Sequence, residues 1–599
     1  MKKENGKNGS AVPANLLYMM RYAVRYVPGY SAALTAQTVL NALWTVFAST
    51  LFLKMLFDAI EGDVDFLRIF TAVMAVAVLR IALIIFDKWV QDLCRPRAEL
   101  TLHERMQSEL YEKALKMDFG LYDSPEFYDN FIWTIRECDT RVMSMLDAYG
   151  GFLSSLVSAA GILAVFLSID MFAALTVLAV GIANYFLNKK LNGLRFEKAM
   201  ARNNITRRKE YACRIFGRME YAKEMRMGGI ADLLQENYRN AADDDVACLK
   251  KYALPILLGQ IASSILVSCI FQIVITGYMI IRYAIDPSLS LGDFAVGVNA
   301  IWKLFLQVNS LIIGVTGLQE HSMYIEKFRT FLGAKTENDE GSLEMEPFRS
   351  LEISDVGFAY RGSGQQVLDG VSIKVEKGEK VAIVGANGAG KTTLERLLLR
   401  LYEPQRGSIR YNGREISEYR LVEYRSRIGA VFQDFKLFAA TLAENVSNGE
   451  HDPARDGHIR EALRQMLFDE RLESMRDGLD SVLTREFDED GVYLSGGESQ
   501  KVAIARVLAG DFDLIIMDEP SAALDPAAEY ELNHILAESG DRTILFISHR
   551  LSTTRMADNI YVLDGGTVAE SGNHDELMQK DGIYAEMFRM QASKFISGY

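Results

Sequence analysis

The run Gly385-Ala386-Asn387-Gly388-Ala389-Gly390-Lys391-Thr392 follows the spacing G-x-x-x-x-G-K-[ST]. Glycines so placed let backbone N–H groups curl around an anion, and a helix starting behind them adds positive potential. At this spacing the Lys391 amine reaches the β- and γ-phosphates of a nucleotide, and the Thr392 hydroxyl can bind Mg²⁺. That chemistry needs a strand in front of the loop and a helix behind it. Val381-Ala382-Ile383-Val384 is a short apolar run that reads as a buried strand, and Thr393-Leu394-Glu395-Arg396-Leu397-Leu398 opens a helix. The candidate contacts to a nucleotide's phosphates are therefore Gly385, Asn387, Gly388, Gly390, Lys391, Thr392 and Thr393. Two further runs read as buried strands: Leu514–Met517, ending in the carboxylates Asp518 and Glu519, and Thr543–Ser548, after which comes His549.

A chain of 599 residues is expected to hold several domains. Its net charge of −14 gives no electrostatic footprint for nucleic acid, and no such partner is expected. The five cysteines are scattered, odd in number and without a C-x-x-C pair, so reduced thiols are expected. Mean hydropathy is +0.04 although 24% of residues are charged. That average hides a split, with apolar blocks before about residue 320 and an ordinary soluble composition after it.

The apolar blocks are residues 31–57, 66–90, 151–187, 253–282 and 293–317. A bilayer core takes roughly 20 helical residues, so 151–187 must be two helices, turning at Ser168-Ile169-Asp170. Six spans are expected. The connections 58–65, 168–170 and 283–292 carry no Lys or Arg, whereas the N-terminus, 91–149 and 188–251 are rich in them. Basic connections stay on the cytoplasmic side, which places both termini and both long connections there. Each long connection runs about sixty residues with helical patterning, and reads as helices extending well beyond the membrane. Phe119–Pro125 breaks the first and is a candidate contact with the soluble half. Residues 14–29 read as an amphipathic helix on the membrane surface. The Lys-rich start lacks the apolar stretch and cleavage site of a signal peptide, so none is expected.

Several more short motifs follow in a fixed order: Phe358-Ala359-Tyr360, Val431-Phe432-Gln433-Asp434, Leu494-Ser495-Gly496-Gly497-Glu498-Ser499-Gln500, Met517-Asp518-Glu519, Ala522-Ala523-Leu524-Asp525 and His549. With the phosphate loop they make the chain resemble the ABC transporter family, in particular half-transporters whose exporter-type membrane domain precedes a nucleotide-binding domain. The resemblance covers nearly the whole chain. It implies a six-helix all-α transmembrane domain with long cytoplasmic helical extensions, joined to an α/β P-loop ATPase domain. The boundaries read as a cytoplasmic N-terminus and interfacial helix at 1–30, a membrane domain at 31–333, a linker at 334–349 and the ATPase domain at 350–599.

By the resemblance, Tyr360 stacks on adenine, and Gln433 binds Mg²⁺ and senses the γ-phosphate. Ser495 and Gly497 close on ATP held by the opposite subunit. Asp518 holds Mg²⁺ through water, Glu519 is the general base and His549 contacts the γ-phosphate. Thr392, Gln433 and Asp518 thus form the expected metal set; Glu519, His549 and Gln433 form the catalytic one. Two positions depart from the family pattern: Glu498 stands where Gln is usual, and Asp488 where Gly is usual in the segment Glu486–Gly491.

ATP shared between two domains implies a dimer, with a second half-transporter that is either another copy or a different chain. The expected function is ATP-driven export of a small amphipathic substrate, peptide or lipid by alternating access, in a bacterial plasma membrane. The alternatives are an importer on the same fold, as for metal chelates, and an ATPase without transport, which six spans oppose. Arg80 and Lys303 lie inside expected spans, where a charge often marks a pathway. The other reading has them paired, for example with Asp87, or reaching the interface.

Overall fold

The computed structural model describes residues 8–62, 65–218, 221–266, 273–274, 276–286, 289–538, 542–548, 550 and 554–596. It divides into two compact units, Met1–Glu112 with Asn130–Gly333, and Lys113–Asp129 with Ala334–Tyr599.

The first unit is helical. It contains α1 (Asn8–Tyr26), α2 (Pro28–Val46), α3 (Phe52–Glu61), α4 (Phe66–Trp89), α5 (Arg95–Leu115), α6 (Pro125–Ile169), α7 (Met171–Gly217), α8 (Ala222–Met227), α9 (Ile230–Ile265), α10 (Thr276–Ile285) and α11 (Leu291–Leu332). Among the described residues, four helical stretches are long and apolar enough to cross a membrane: Pro28–Glu61, Phe66–Leu115, Arg141–Ile169 and Leu291–Leu332. The expected span at 171–187 opens α7, and that at 253–282 includes 267–272 and 275, which lie outside the described residues. Helices α6 and α7 run 45 and 47 residues. At 1.5 Å per residue each is about 70 Å long, more than twice a bilayer core, so the apolar segment can occupy only part of it.

Helix α1 is separate from the first span. Val27 leaves helical geometry (φ −134°, ψ 58°) and Pro28 starts α2, where a missing N–H costs nothing. It is also tied down: Asn15 Nδ2 donates to the Ser322 carbonyl (3.1 Å) and hydroxyl (3.0 Å) on α11, and Arg329 donates to Asn15 Oδ1 (2.7 Å). Met19 and Ala23 are buried. The expected turn after α6 is present at Asp170, whose buried carboxylate pairs with Arg282 and accepts from Tyr278 (3.1 Å). The Arg80 guanidinium lies 5.4 Å from the Trp44 ring centroid, and Asp87 accepts instead from Asn41 at 2.8 Å. An aromatic face thus supplies part of what a carboxylate would.

The second unit is built on two sheets. One is antiparallel, in the order β2 (Leu368–Glu376), β1 (Ser350–Phe358), β4 (Arg406–Tyr411), β5 (Arg414–Glu415). The other has six strands, in the order β10 (Thr567–Gly572), β9 (Asn559–Asp564), β3 (Lys380–Gly385), β8 (Thr543–Ile547), β7 (Leu514–Asp518), β6 (Ile428–Val431). All neighbours in it are parallel except β9 and β10. Parallel strands are buried on both faces and so read as unbroken apolar runs. Along β3, Ala382 and Val384 enter one core while Val381 and Ile383 enter the other; Ile515 and Met517 separate from Leu514 and Ile516 in the same way. The β3, β7 and β8 ends therefore emerge side by side, which is what brings residues 385–392, 518–519 and 548 together.

The α5–α6 connection belongs to this second unit. Residues 119–121 form a single 3₁₀ turn capped by Asp118, whose side chain accepts from the Gly120 N–H. Phe119 meets the Tyr402 ring edge-on at 5.6 Å, and the Tyr402 hydroxyl donates to Asp123 at 2.7 Å.

Candidate functional site

Between β3 and α12 (Lys391–Leu398) the chain passes through positive φ at Gly385 (156°), Gly388 (83°) and Gly390 (101°). Gly390 is the residue that caps α12, in left-handed geometry. A Cβ there would come within 2.4 Å of the Leu368 side chain, so both φ and space demand glycine. Asn387 and Gly388 are exposed at the tip, while Lys391 and Thr393 are buried. The Lys391 amine turns back over the loop and donates to the carbonyls of Gly385 (2.9 Å) and Ala386 (3.0 Å). Burial pushes the pKa of that amine down, against the pull of Glu519 and Asp518. A buried cation held over a glycine loop at a helix start fits a polyanion.

Asp518 is the last residue of β7 and is buried. Its Oδ2 accepts from the Thr392 hydroxyl at 3.2 Å. Burial raises its pKa, and Thr392 opposes that. Among the described residues no group of three or more His, Cys, Asp or Glu side chains could hold a metal by itself. A hydroxyl and one carboxylate beside a phosphate loop instead suit Mg²⁺, which keeps waters and takes the rest of its ligands from substrate phosphates.

Glu519 departs from the strand at φ 50°. A non-glycine residue there costs about 1–3 kcal/mol and persists only where its surroundings hold it. Here its N–H donates to the Ile547 carbonyl of β8 (2.9 Å). Its carbonyl accepts from the Ala522 N–H (3.1 Å) and from the Gln500 amide (3.2 Å). The turned backbone brings the Glu519 carboxylate to the same side as Gln433, whose Nε2 donates to Glu519 Oε2 at 3.2 Å. Thr392, Lys391, Asp518, Glu519 and Gln433 thus converge. His549 lies outside the described residues.

Tyr360 is half-buried. Its hydroxyl shares a hydrogen bond with Thr393 (3.0 Å) and accepts from Arg396 (3.2 Å). Its ring packs edge-on against Phe358 (5.1 Å) and Tyr402 (5.4 Å). Glu395, which sequence reasoning passed over, is buried on α12 near Asp518; burial pushes its pKa up to about 8.

The Ser495 motif stands at the start of the helix Gly496–Leu508. Ser495 caps it, accepting from the Glu498 N–H (3.3 Å), while Glu498 accepts from the Ser495 N–H (2.7 Å). This reciprocal box is made equally by Glu or Gln. It gives the unusual Glu498 a local role, and Arg471 at 3.2 Å balances its charge. Burial raises the Glu498 pKa, but the Ser495 hydrogen bonds and nearby cations outweigh it and leave the carboxyl below its ordinary range. The other departure is also local: Asp488 accepts from the Asp490 N–H at 2.9 Å, closing a tight turn that a glycine would leave open. At Gly491, by contrast, a Cβ would sit 1.8 Å from the Thr484 carbonyl.

A family profile described as "ABC transporter" matches residues 368–522. The chain is 28% identical over 509 residues to the subtilin transport ATP-binding protein SpaT of Bacillus subtilis, covering 83% of this chain and 81% of that protein. It is 39% identical to the ATP-dependent lipid A-core flippase of Alkalilimnicola ehrlichii, over 49% of each chain. It is 33% identical to the flippase of Vibrio parahaemolyticus, over 57% of this chain and 59% of that one. The chain thus spans about half to three-fifths of the flippases it matches. The solved structure of a bacterial Atm1-family ABC exporter with ATP bound superposes with a TM-score of 0.77 at 23% identity, over 93% of this chain and 98% of that one. At that identity the likeness concerns the fold, and it spans the helical unit as well as the ATPase unit. A helical unit carrying apolar helices of membrane-spanning length, followed in one chain by a unit that matches the ABC transporter model over residues 368–522, is the half-transporter layout with an exporter-type fold.

Proposed function

We propose that the chain is one half of an ATP-driven exporter that moves a small amphipathic substrate, peptide or lipid across a bacterial plasma membrane, acting as a dimer. The observation that carries this is the convergence of Lys391, Thr392, Asp518, Glu519 and Gln433 behind a glycine loop, in a chain whose other unit holds, among the described residues, four helices of spanning length and apolarity.

In this reading the N–H groups of residues 385–393 and the Lys391 amine bind the β- and γ-phosphates of ATP, Asn387 and Thr393 flank them, and the Tyr360 ring stacks on adenine. Thr392, Asp518 and Gln433 would hold Mg²⁺, which neutralises charge on the phosphate oxygens. Glu519 accepts the proton of the attacking water, aimed by its fixed backbone and by Gln433. His549 contacts the γ-phosphate. Ser495 and Gly497 present a hydroxyl and backbone N–H groups at a helix start, an anion site aimed at ATP on the partner half. This chain supplies the whole set, so two copies make two competent sites. Export is favoured over import of metal chelates by what the relatives are named for, and both long basic connections and both termini are placed on the cytoplasmic side, where ATP is.

Inverted membrane vesicles containing the chain, supplied with ATP outside, test the direction. They are expected to accumulate a dansylated amphipathic peptide or a fluorescent lipid, and to stop when Glu519 is replaced by Gln. ATP-dependent accumulation only in right-side-out vesicles loaded with ATP would establish the importer instead.

A further inference from the structure

We propose that Gln500 is a positioning residue for ATP hydrolysis, its side-chain amide fixing the backbone of Glu519 and the loop Ala522–Asp525 to the helix that begins at Ser495. The proposal rests on the reading of Glu519 as the base and of Ser495 as the contact to the partner half's ATP.

Gln500 is almost fully buried. Its Nε2 donates to the Glu519 carbonyl (3.2 Å), and its Oε1 accepts from the Ala523 N–H (2.7 Å). Any buried amide needs partners, and a glutamine on a helix could find them in ordinary core. These two partners are of a different kind. One is the carbonyl of the residue held at φ 50°, and the other is an N–H within the loop that follows it. Pinning the carbonyl side of Glu519 complements the Ile547 bond on its N–H side, so both flanking peptides are fixed and the Cα–Cβ bond that carries the carboxylate has one direction.

The same side chain also couples two surfaces. Gly497, three residues before Gln500, lies so close to the loop that a Cβ would stand 2.8 Å from the Ala523 carbonyl. Lys501 pairs with Asp525 at 3.3 Å. With no slack between helix start and loop, a shift of the helix on meeting the partner's ATP is passed through Gln500 to the Glu519 carbonyl. The base of one site is then aimed when the other site is engaged. The sequence motif contains Gln500, but its partners lie 19 and 23 residues away, which spacing alone does not reveal.

The test uses the full chain in lipid nanodiscs with Gln500→Met, which removes both hydrogen bonds without adding charge, and Gln500→Glu, which keeps the acceptor for Ala523 and loses the donor to Glu519. Turnover, KM for ATP, affinity for a fluorescent ATP analogue and melting temperature are read together, with Glu519→Gln alongside. We expect kcat to fall about tenfold or more in both variants, as misplacement of a reacting group does, while KM, analogue affinity and melting temperature stay within about twofold or a few degrees. Unchanged kcat in both variants overturns the proposal. So does a fall in kcat matched by losses of melting temperature and analogue binding, since that describes a residue serving only the fold. If the parent chain's turnover survives Glu519→Gln, the reading of Glu519 has failed and takes the proposal with it; if turnover is lost there but kept in the Gln500 variants, the fault is with Gln500 alone.

Discussion

Replacing Glu519 by Gln is expected to lower the maximal rate of ATP hydrolysis by about 10²–10⁴-fold while leaving ATP affinity within about threefold. The substitution keeps the shape of the side chain and every backbone contact that holds it, from Ile547, Ala522 and Gln500. What it removes is the basic carboxylate. A general base acts on the attacking water during the reaction and contributes little to holding the triphosphate, so the loss belongs in kcat. Steady-state hydrolysis and equilibrium binding of a fluorescent ATP analogue, measured on the same nanodiscs, check this. A large loss of affinity with kcat retained would reassign Glu519 to binding.

Lys391→Ala should do the reverse. We expect affinity for ATP to drop by about a hundredfold or more, equivalent to about 2.7 kcal/mol, with hydrolysis lost as a consequence. The amine is buried, and burial already presses its pKa downward, so it is poised to gain from a polyanion. Its removal also strips a donor from the Gly385 and Ala386 carbonyls, which loosens a loop with three residues at positive φ. Binding of the analogue in the absence of turnover reads this directly. Lys391→Ala binding ATP as well as the parent chain does would mean that the loop holds phosphate by its N–H groups alone.

The parts of the fold legible in the sequence were those set by short-range pattern. Glycines at 385, 388 and 390 need positive φ whatever else the chain does, and the unbroken apolar runs at 381–384, 514–517 and 543–547 suit only strands buried on both faces. The turn at Asp170 followed from length against bilayer thickness. Contacts between distant segments were not legible. Asn15 meets Ser322 across 307 residues and Tyr402 meets Asp123 across 279, and neither residue type announces its partner. Arg80 looked like a charge in need of a carboxylate, but Trp44, 36 positions earlier, offers its ring. The box that Glu498 closes with Ser495 follows from their i, i+3 spacing and is legible in the sequence.

The central claim is that two ABC domains are needed to complete one hydrolytic site, and that two copies of this chain suffice. The direct measurement is ATP hydrolysis per copy in nanodiscs of the purified chain, sorted by mass into those holding one copy and those holding two. The account predicts Mg²⁺-dependent turnover in two-copy discs and about a hundredfold less or none in one-copy discs, with ATP bound in both. Equal turnover per copy in the two populations would contradict it, and silence in both, with ATP bound, would mean that the second half is a different chain.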